Sequence, residues 1–324
     1  MTQLRLSQGA AATRILGIGS TQPERVVTND ELSTIMDTND QWIRERVGIA
    51  ERRFAGEKDT VVSMAVEAGS KAIAASGLDP ADVDTVLVAN CTATVPIPNA
   101  AAQVAELVGV KAGGGFDLNA ACAGFCYALA AGSDMVRAGS ARRVLVIGSE
   151  KLTDVVDPVD RSTAIIFADG AGAAVVGPSD EPGIGPVAWG TAGDLVETIT
   201  MPNGRHIYQE GQSVFRWATT KIAPIALQAI ELAGLQPADI DVLIPHQANL
   251  RIVEAIAKRL RKSGAREDMV VADDIVTSGN TSSASIPMAM DHMRAAGRVH
   301  SGDVALLIGF GAGLSYAGQV VICP

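Results

Sequence analysis

The stretch "GLDPADVDTVL" (Gly77–Leu87) returns 157 positions later as "GLQPADIDVLI" (Gly234–Ile244). Six of the eleven positions are identical, and three more exchange one aliphatic residue for another, so the two copies can build the same local structure. Alanine-rich helical sequence precedes each copy, "AVEAGSKAIAASG" and "APIALQAIELAG", and a short aliphatic strand follows, "TVLVAN" and "VLIPHQ". A helix–turn–strand unit therefore occurs once in each half of the chain. A second echo pairs "DGAGAAVVG" (Asp169–Gly177) with "GFGAGLSYAGQVVI" (Gly309–Ile322), glycine turns feeding aliphatic strands. "PSDEPGIGP" (Pro178–Pro186) reads as the connector, dividing the chain into halves at 1–178 and 179–324. Helices alternating with apolar strands predict a duplicated, layered α/β sandwich with its strands buried on both faces. Two such halves, related by an approximate two-fold axis, leave a cleft where they meet.

Composition agrees with a large core: 48% of the 324 residues are hydrophobic and 19% charged, which argues against disorder. A net charge of −10 makes nucleic acid an unsuitable partner, because phosphate binding needs a basic surface. The N-terminal stretch has no apolar run of signal-peptide length, and no 18-residue apolar segment follows, so neither export nor a membrane span is expected. Four cysteines in a chain of this size form no disulfide framework, which suits a reducing cytoplasm.

Two of those cysteines lie four positions apart in "NAACAGFCYA" (Asn119–Ala128). "GGFDLN" reads as a strand, and "CAGFCYALAAGSDMVRAG" as a helix beginning near Cys122. A cysteine in a first helical turn meets unsatisfied N–H groups and the positive end of the helix dipole, which favours thiolate. The same amides could hold an oxyanion. Cys126, one turn deeper beside Phe125 and Tyr127, reads as a small core residue. Metal binding would need two further thiolate or imidazole ligands, and no second cluster is present. A dithiol redox centre wants C-x-x-C spacing. Without partners, Cys122 serves equally well as nucleophile or as packing.

Partners come from the second half. Where the first copy of the repeat ends its strand with Ala89-Asn90, the second places His246-Gln247, aiming an imidazole from a strand end. His292 and His300 lie in polar surface-like sequence, and His206 in a loop. Asn280 sits in "TSGNTSSASIP" (Thr277–Pro287), a turn before a helix, where its amide could stabilise developing negative charge. "GFGAGLS" (Gly309–Ser315) is a glycine turn whose N–H groups could point at a ligand.

"NAACAGF", "HQAN", "GNTSSASIP" and "GFGAG", in that order, resemble β-ketoacyl-acyl-carrier-protein synthase III of the thiolase superfamily. The resemblance runs nearly end to end, including "NDQWIRERVGI" (Asn39–Ile49) and "DRSTAIIFADGAGAAVV" (Asp160–Val176). It implies a thiolase-like fold, a homodimer, and an acyltransferase that condenses an acyl-CoA primer with malonyl-acyl-carrier protein, with no metal or cofactor. Cys122, His246 and Asn280 would be catalytic, and the amides of Cys122 and Ala312 would form the oxyanion hole. Trp42 and Arg161 match positions that sandwich the CoA adenine, and Thr38, Arg46, Asn249 and Arg251 match others on the CoA path. "CTATVPIPN" (Cys91–Asn99) resembles the segment that closes the acyl pocket across the dimer, with Ile97 setting its depth.

An acidic enzyme needs a local basic patch to receive an acidic carrier. In "ANLRIVEAIAKRLRKSG", Ile252, Val253, Ile256 and Leu260 share one helical face, and Arg251, Lys258 and Lys262 line up opposite, flanked by Arg259 and Arg261. Degradative thiolases carry a further cysteine in the last glycine loop, which here reads "IGFGAG". A priming ketosynthase of a polyketide pathway, a hydrolase using Cys122 and His246, and a non-catalytic carrier-binding scaffold are the competing readings.

Overall fold

Both copies of the repeat fold alike. Gly77 and Gly234 each stand just past a helix in the left-handed region, at φ 71° and 73°. The "PAD" that follows makes one 3₁₀ turn in each copy, Pro80–Asp82 and Pro237–Asp239. Asp82 closes its turn by accepting the Asp79 N–H at 3.2 Å, and Asp239 accepts the Gln236 N–H at 2.7 Å. The chain then enters a buried strand in both places.

This computed structural model describes residues 4–111, 113–202 and 204–324. The first half runs β1 (Ala12–Thr21), α1 (Val61–Ser76), β2 (Thr85–Ala89), α2 (Ala100–Val108), β3 (Gly114–Leu118), α3 (Gly124–Ala138), β4 (Val144–Glu150) and β5 (Gly170–Ser179). The second runs β6 (Ala188–Thr191), α4 (Gly211–Leu232), β7 (Val242–Pro245), α5 (Leu250–Lys262), β8 (Val270–Val271), α6 (Ser285–Ala295), β9 (Val304–Gly311) and β10 (Ser315–Ile322). Each half builds a five-stranded sheet, ordered β1-β5-β4-β2-β3 and β6-β10-β9-β7-β8. The strand after each repeat pairs in parallel with both neighbours, and the remaining two pairings are antiparallel. Each of these elements thus has a counterpart in the other half; the segment 25–54, with two short strands and the helix Asp40–Val47 that carries Trp42, is an insertion of the first half alone.

Burial sets the layers. Helices α1 and α2 cover the outer face of the first sheet through Met64, Ala68, Ala72 and Val104. Helices α4 and α5 cover the second through Ala226, Ile230, Ile252 and Ile256. Helices α3 and α6 lie between the sheets, where Phe125, Leu129, Ile286 and Met290 share one core with strands of both halves. Strands β2 and β4 are buried along their whole length, as their aliphatic sequence requires. Strand β3 departs from the expected burial on both faces: it is the sheet edge, and Gly114, Gly115 and Phe116 are exposed. No described helix is long and apolar enough to cross a membrane.

A Cβ added at Gly77 or Gly234 would meet nothing within 4 Å, so the only cost of a side chain there is the left-handed backbone. Gly77→Ala and Gly234→Ala are each expected to lower unfolding stability by about 1 kcal/mol, read from denaturant midpoints. A loss several times larger at one site would break the equivalence of the two turns.

Candidate active site

The middle layer decides what meets. Helices α3 and α6 are entered by the same device, one from each half. Asn119 accepts the N–H of Ala121 at 3.1 Å, and Asn280 accepts the N–H of Ser282 at 2.9 Å. Ala121 and Ser282 then take up left-handed φ values of 46° and 50°, the only non-glycine residues to do so among those described. A 3₁₀ turn follows in each case, Ala121–Ala123 and Ser282–Ala284, before the α-helix proper. Cys122 therefore sits in the turn that leads into α3, two residues ahead of the helix start at Gly124, where sequence places that start near Cys122 itself. Its counterpart in the second half is Ser283. The aligned signal, "NAACAGF" against "NTSSASI", is a third internal echo that the sequence reading passed over.

Cys122, His246, Asn280 and Ala312 all line one cavity of about 930 Å³. They come from four separate segments: the lead-in to α3, the end of β7, the lead-in to α6, and the turn after β9. The contact between halves is tight. A Cβ on Gly311 would lie 2.8 Å from both the Cβ and the N of Cys122 and 3.1 Å from its Sγ, so only glycine lets this backbone approach the thiol. Cys126 is wholly buried in the central core, as expected. Cys91 lines the cavity too, and its Sγ lies 3.9 Å from the Ser282 hydroxyl. Sequence reading gave Cys91 no role.

The expected depression of the Cys122 thiol is not what the structure produces. Desolvation inside the cavity pushes it up to about 12; hydrogen bonds from Ser282 and from its own N–H oppose this only in part, and the charge of the nearby Glu150 carboxylate adds to the rise. The lead-in is a 3₁₀ turn and not the first turn of the α-helix, so the dipole acts from further away. At neutral pH Cys122 is a thiol.

His246 is buried, and desolvation lowers it to about 3, so it is neutral throughout the physiological range. Its Nδ1 lies 2.7 Å from the Ser285 hydroxyl, which itself accepts the Gln247 N–H at 3.3 Å. Among the described residues that hydroxyl proton has no other acceptor, so it is available to Nδ1, and we assign the ring proton to Nε2. Phe310 packs edge-on against the ring at 5.3 Å. For Asn280, the N–H of Ser282 on Oδ1 leaves the NH2 end as the available donor.

At the mouth, Arg46, Arg161, Arg216 and Arg251 line the cavity of a chain that is acidic overall. Arg161, at 4.8 Å, and Arg46, at 5.3 Å, both stack on the Trp42 ring. The slot expected for an adenine between Trp42 and Arg161 is thus closed by their own contact, and Arg161 also donates to the Asp37 carbonyl at 2.6 Å. Asn249 caps α5, accepting from Arg251 N–H at 2.9 Å and donating to the Arg46 carbonyl at 3.1 Å. Arg251 stacks on Phe215 at 5.1 Å, and Arg216 and Phe215 were not singled out from sequence.

Not every expected residue lines this chain's own cavity. Thr38 does not line the cavity, and its hydroxyl is enclosed without a partner. Ile97 is 84% exposed and lines nothing in this chain. Arg261 is held to its own half, donating to the Met269 carbonyl at 3.2 Å, whereas Lys258, Arg259 and Lys262 are exposed. His292 is half-buried rather than exposed, because its Nδ1 pairs with Asp274 at 2.8 Å.

The chain matches the family profile of 3-oxoacyl-[acyl-carrier-protein] synthase III over residues 116–193 and that of its C-terminal part over 230–323. It is 50% identical over 316 residues to β-ketoacyl-[acyl-carrier-protein] synthase III 4 of Streptomyces coelicolor, covering 96% of this chain and 99% of the relative. Identity to the mycobacterial β-ketoacyl-[acyl-carrier-protein] synthase III of Mycobacterium avium is 46%, over 100% and 99% of the two chains. Among solved structures, the priming β-ketosynthase of the R1128 polyketide biosynthetic pathway superposes with a TM-score of 0.95 at 43% identity, covering 100% and 99%. The synthase III of Aquifex aeolicus superposes at 0.91 with 37% identity, covering 96% and 100%. The fold is that of the thiolase-type condensing enzymes. The chain belongs to the β-ketoacyl-acyl-carrier-protein synthase III family, acyltransferases that carry out the condensation initiating fatty acid synthesis.

Because the thiol is held near 12, the thiolate fraction rises about tenfold per pH unit across the neutral range. Iodoacetamide alkylation of Cys122, followed on its peptide, is expected to accelerate at that slope from pH 6 to pH 9. A plateau near pH 7 would mean a stabilised thiolate and contradict the burial argument.

Proposed function

We propose that Cys122 is the nucleophile and that His246 and Asn280 serve the decarboxylation half of the reaction. Sγ of Cys122 forms a bond to the acyl carbon of a short acyl-CoA, the CoA sulfur departs, and the thiol proton ends on it. The N–H groups of Cys122 and Ala312 would hold the oxyanion. The malonyl thioester of the carrier protein then breaks its C–CO2 bond, and the electron pair becomes an enolate. Nε2–H of His246 and the NH2 of Asn280 are neutral donors suited to that oxygen. The enolate carbon attacks the acyl-cysteine and expels the Cys122 sulfur as a thiolate as the 3-oxoacyl-carrier protein forms, and the thiolate takes up a proton from solvent to restore the thiol. These steps need only donors and a thiol, so no metal or cofactor is invoked. The observation that carries this reading is the convergence of Cys122, His246, Asn280 and the Gly311–Ala312 backbone on one cavity.

The arginine mouth suits the phosphates of CoA and of a carrier's pantetheine arm. Adenine stacking on Trp42 would require Arg161 to swing off the ring. Exposed Lys258, Arg259 and Lys262, continuous with Arg251 along α5, suit an acidic carrier surface. The working form we propose is a cytoplasmic homodimer, paired through the exposed edge of β3. Phe116, Val95 and Ile97 are large apolar residues exposed on that side, and Ile97 would then close the acyl pocket of a second copy. Likeness to the R1128 priming ketosynthase supports a polyketide-priming role as the second reading; a panel of acyl-CoA primers assayed for condensation separates the two.

His246→Ala and Asn280→Ala are expected to retain acyl transfer to Cys122 and to lose decarboxylation of malonyl-carrier protein by about 10² or more. Charge reversal at Lys258 and Arg259 should raise KM for the carrier and leave that for acyl-CoA. Undiminished CO2 release by the first pair, or equal KM effects in the second, would remove the corresponding assignment.

A further inference from the structure

Glu150 ends β4 wholly buried, and none of the chemistry above uses it. Its contacts are all neutral donors. Oε2 accepts the Cys91 N–H at 3.0 Å and the Thr92 hydroxyl at 2.7 Å. Oε1 accepts the Ser283 hydroxyl at 2.8 Å and the Ser282 hydroxyl at 3.2 Å. One oxygen therefore ties down the turn after β2, and the other the lead-in to α6. A carboxylate buried among neutral donors is costly, and burial raises this one above the ordinary range. A group held at such cost, beside the reacting thiol, calls for a purpose.

Ser282 is the link. Its left-handed backbone at φ 50° is unfavourable for a side-chain-bearing residue, and its N–H is the donor that occupies Oδ1 of Asn280. The first-half counterpart, Ala121, has no hydroxyl to anchor it, and its asparagine, Asn119, is exposed. Only the turn whose asparagine faces the cavity from a buried position is tied to a carboxylate.

We propose that Glu150 is a positioning residue for the decarboxylation step: by anchoring Ser282 it keeps the NH2 end of Asn280 turned toward the reacting thioester. This rests on the assignment of Asn280 made above. Glu150 touches neither substrate nor the reacting atoms.

Glu150→Gln preserves volume and keeps one acceptor oxygen, which the fixed Cys91 N–H claims; its NH2 then faces the serines and cannot accept from their hydroxyls. With both half-reactions assayed on the full chain, acylation of Cys122 should not fall, since losing the carboxylate's charge only favours the thiolate, while kcat for decarboxylation falls about 10-fold to 100-fold with little change in KM. Both halves falling together would make Glu150 merely structural, and neither falling would leave it without a role; either overturns the proposal. Ser282→Ala and Ser282→Gly keep the test alive should the Glu150 variant fail to fold. Both lose the anchoring hydroxyl, but glycine adopts the left-handed turn freely. Alanine should therefore cost about tenfold in decarboxylation and glycine clearly less; equal losses would refute the conformational argument. Asn280→Ala in the same assay separates the two levels, since normal decarboxylation there would sink the role of Asn280 itself.

Discussion

The site depends on a seam: the backbone of Gly311, from the second half, lies against the Cβ and N of Cys122, from the first. No side chain fits between them. That contact brings the turn after β9 over the thiol and fixes where Ala312 stands relative to Cys122. It exists because α3 and α6 lie side by side in the middle layer, each entered through an asparagine-capped left-handed turn. Duplication thus supplies two matching lead-ins, and divergence at a single matched position gives Cys122 in one and Ser283 in the other.

The same seam explains the electrostatics. A cavity enclosed by alanine, glycine and apolar side chains desolvates whatever faces it, so Cys122 is held as a thiol and His246 as a neutral imidazole. Neutral donors suit charge that appears only during reaction, because they need not be neutralised or reorganised first. Glu150 stands apart as a buried acceptor satisfied by hydroxyls, one amide and the Cys91 thiol. Charge of the opposite sign is kept at the mouth, on Arg46, Arg161, Arg216 and Arg251.

Much of this was legible in the sequence, for identifiable reasons. The repeat is written in local chemistry, a glycine past a helix and an aspartate closing a 3₁₀ turn, and local chemistry survives in the order of residues. His246 and Asn280 could be picked out because they break the pattern of their surroundings. What could not be read depends on distance in space. The rise in the Cys122 thiol comes from enclosure by residues far along the chain, which the first-turn argument ignored. Glu150 looks like the polar end of a strand until Ser282 and Ser283, more than 130 positions away, close over it. Ile97 and Thr38 were placed by resemblance alone, and this chain by itself gives neither a place in the cavity.

Two thiols, Cys91 and Cys122, border the cavity, and the account requires that only one of them carries the acyl group. Incubation with an acyl-CoA, digestion and tandem mass spectrometry of the thioester-bearing peptides decides this directly. The acyl mass is expected on Cys122 alone. An acyl group found on Cys91, or on no cysteine while condensation proceeds, would contradict it.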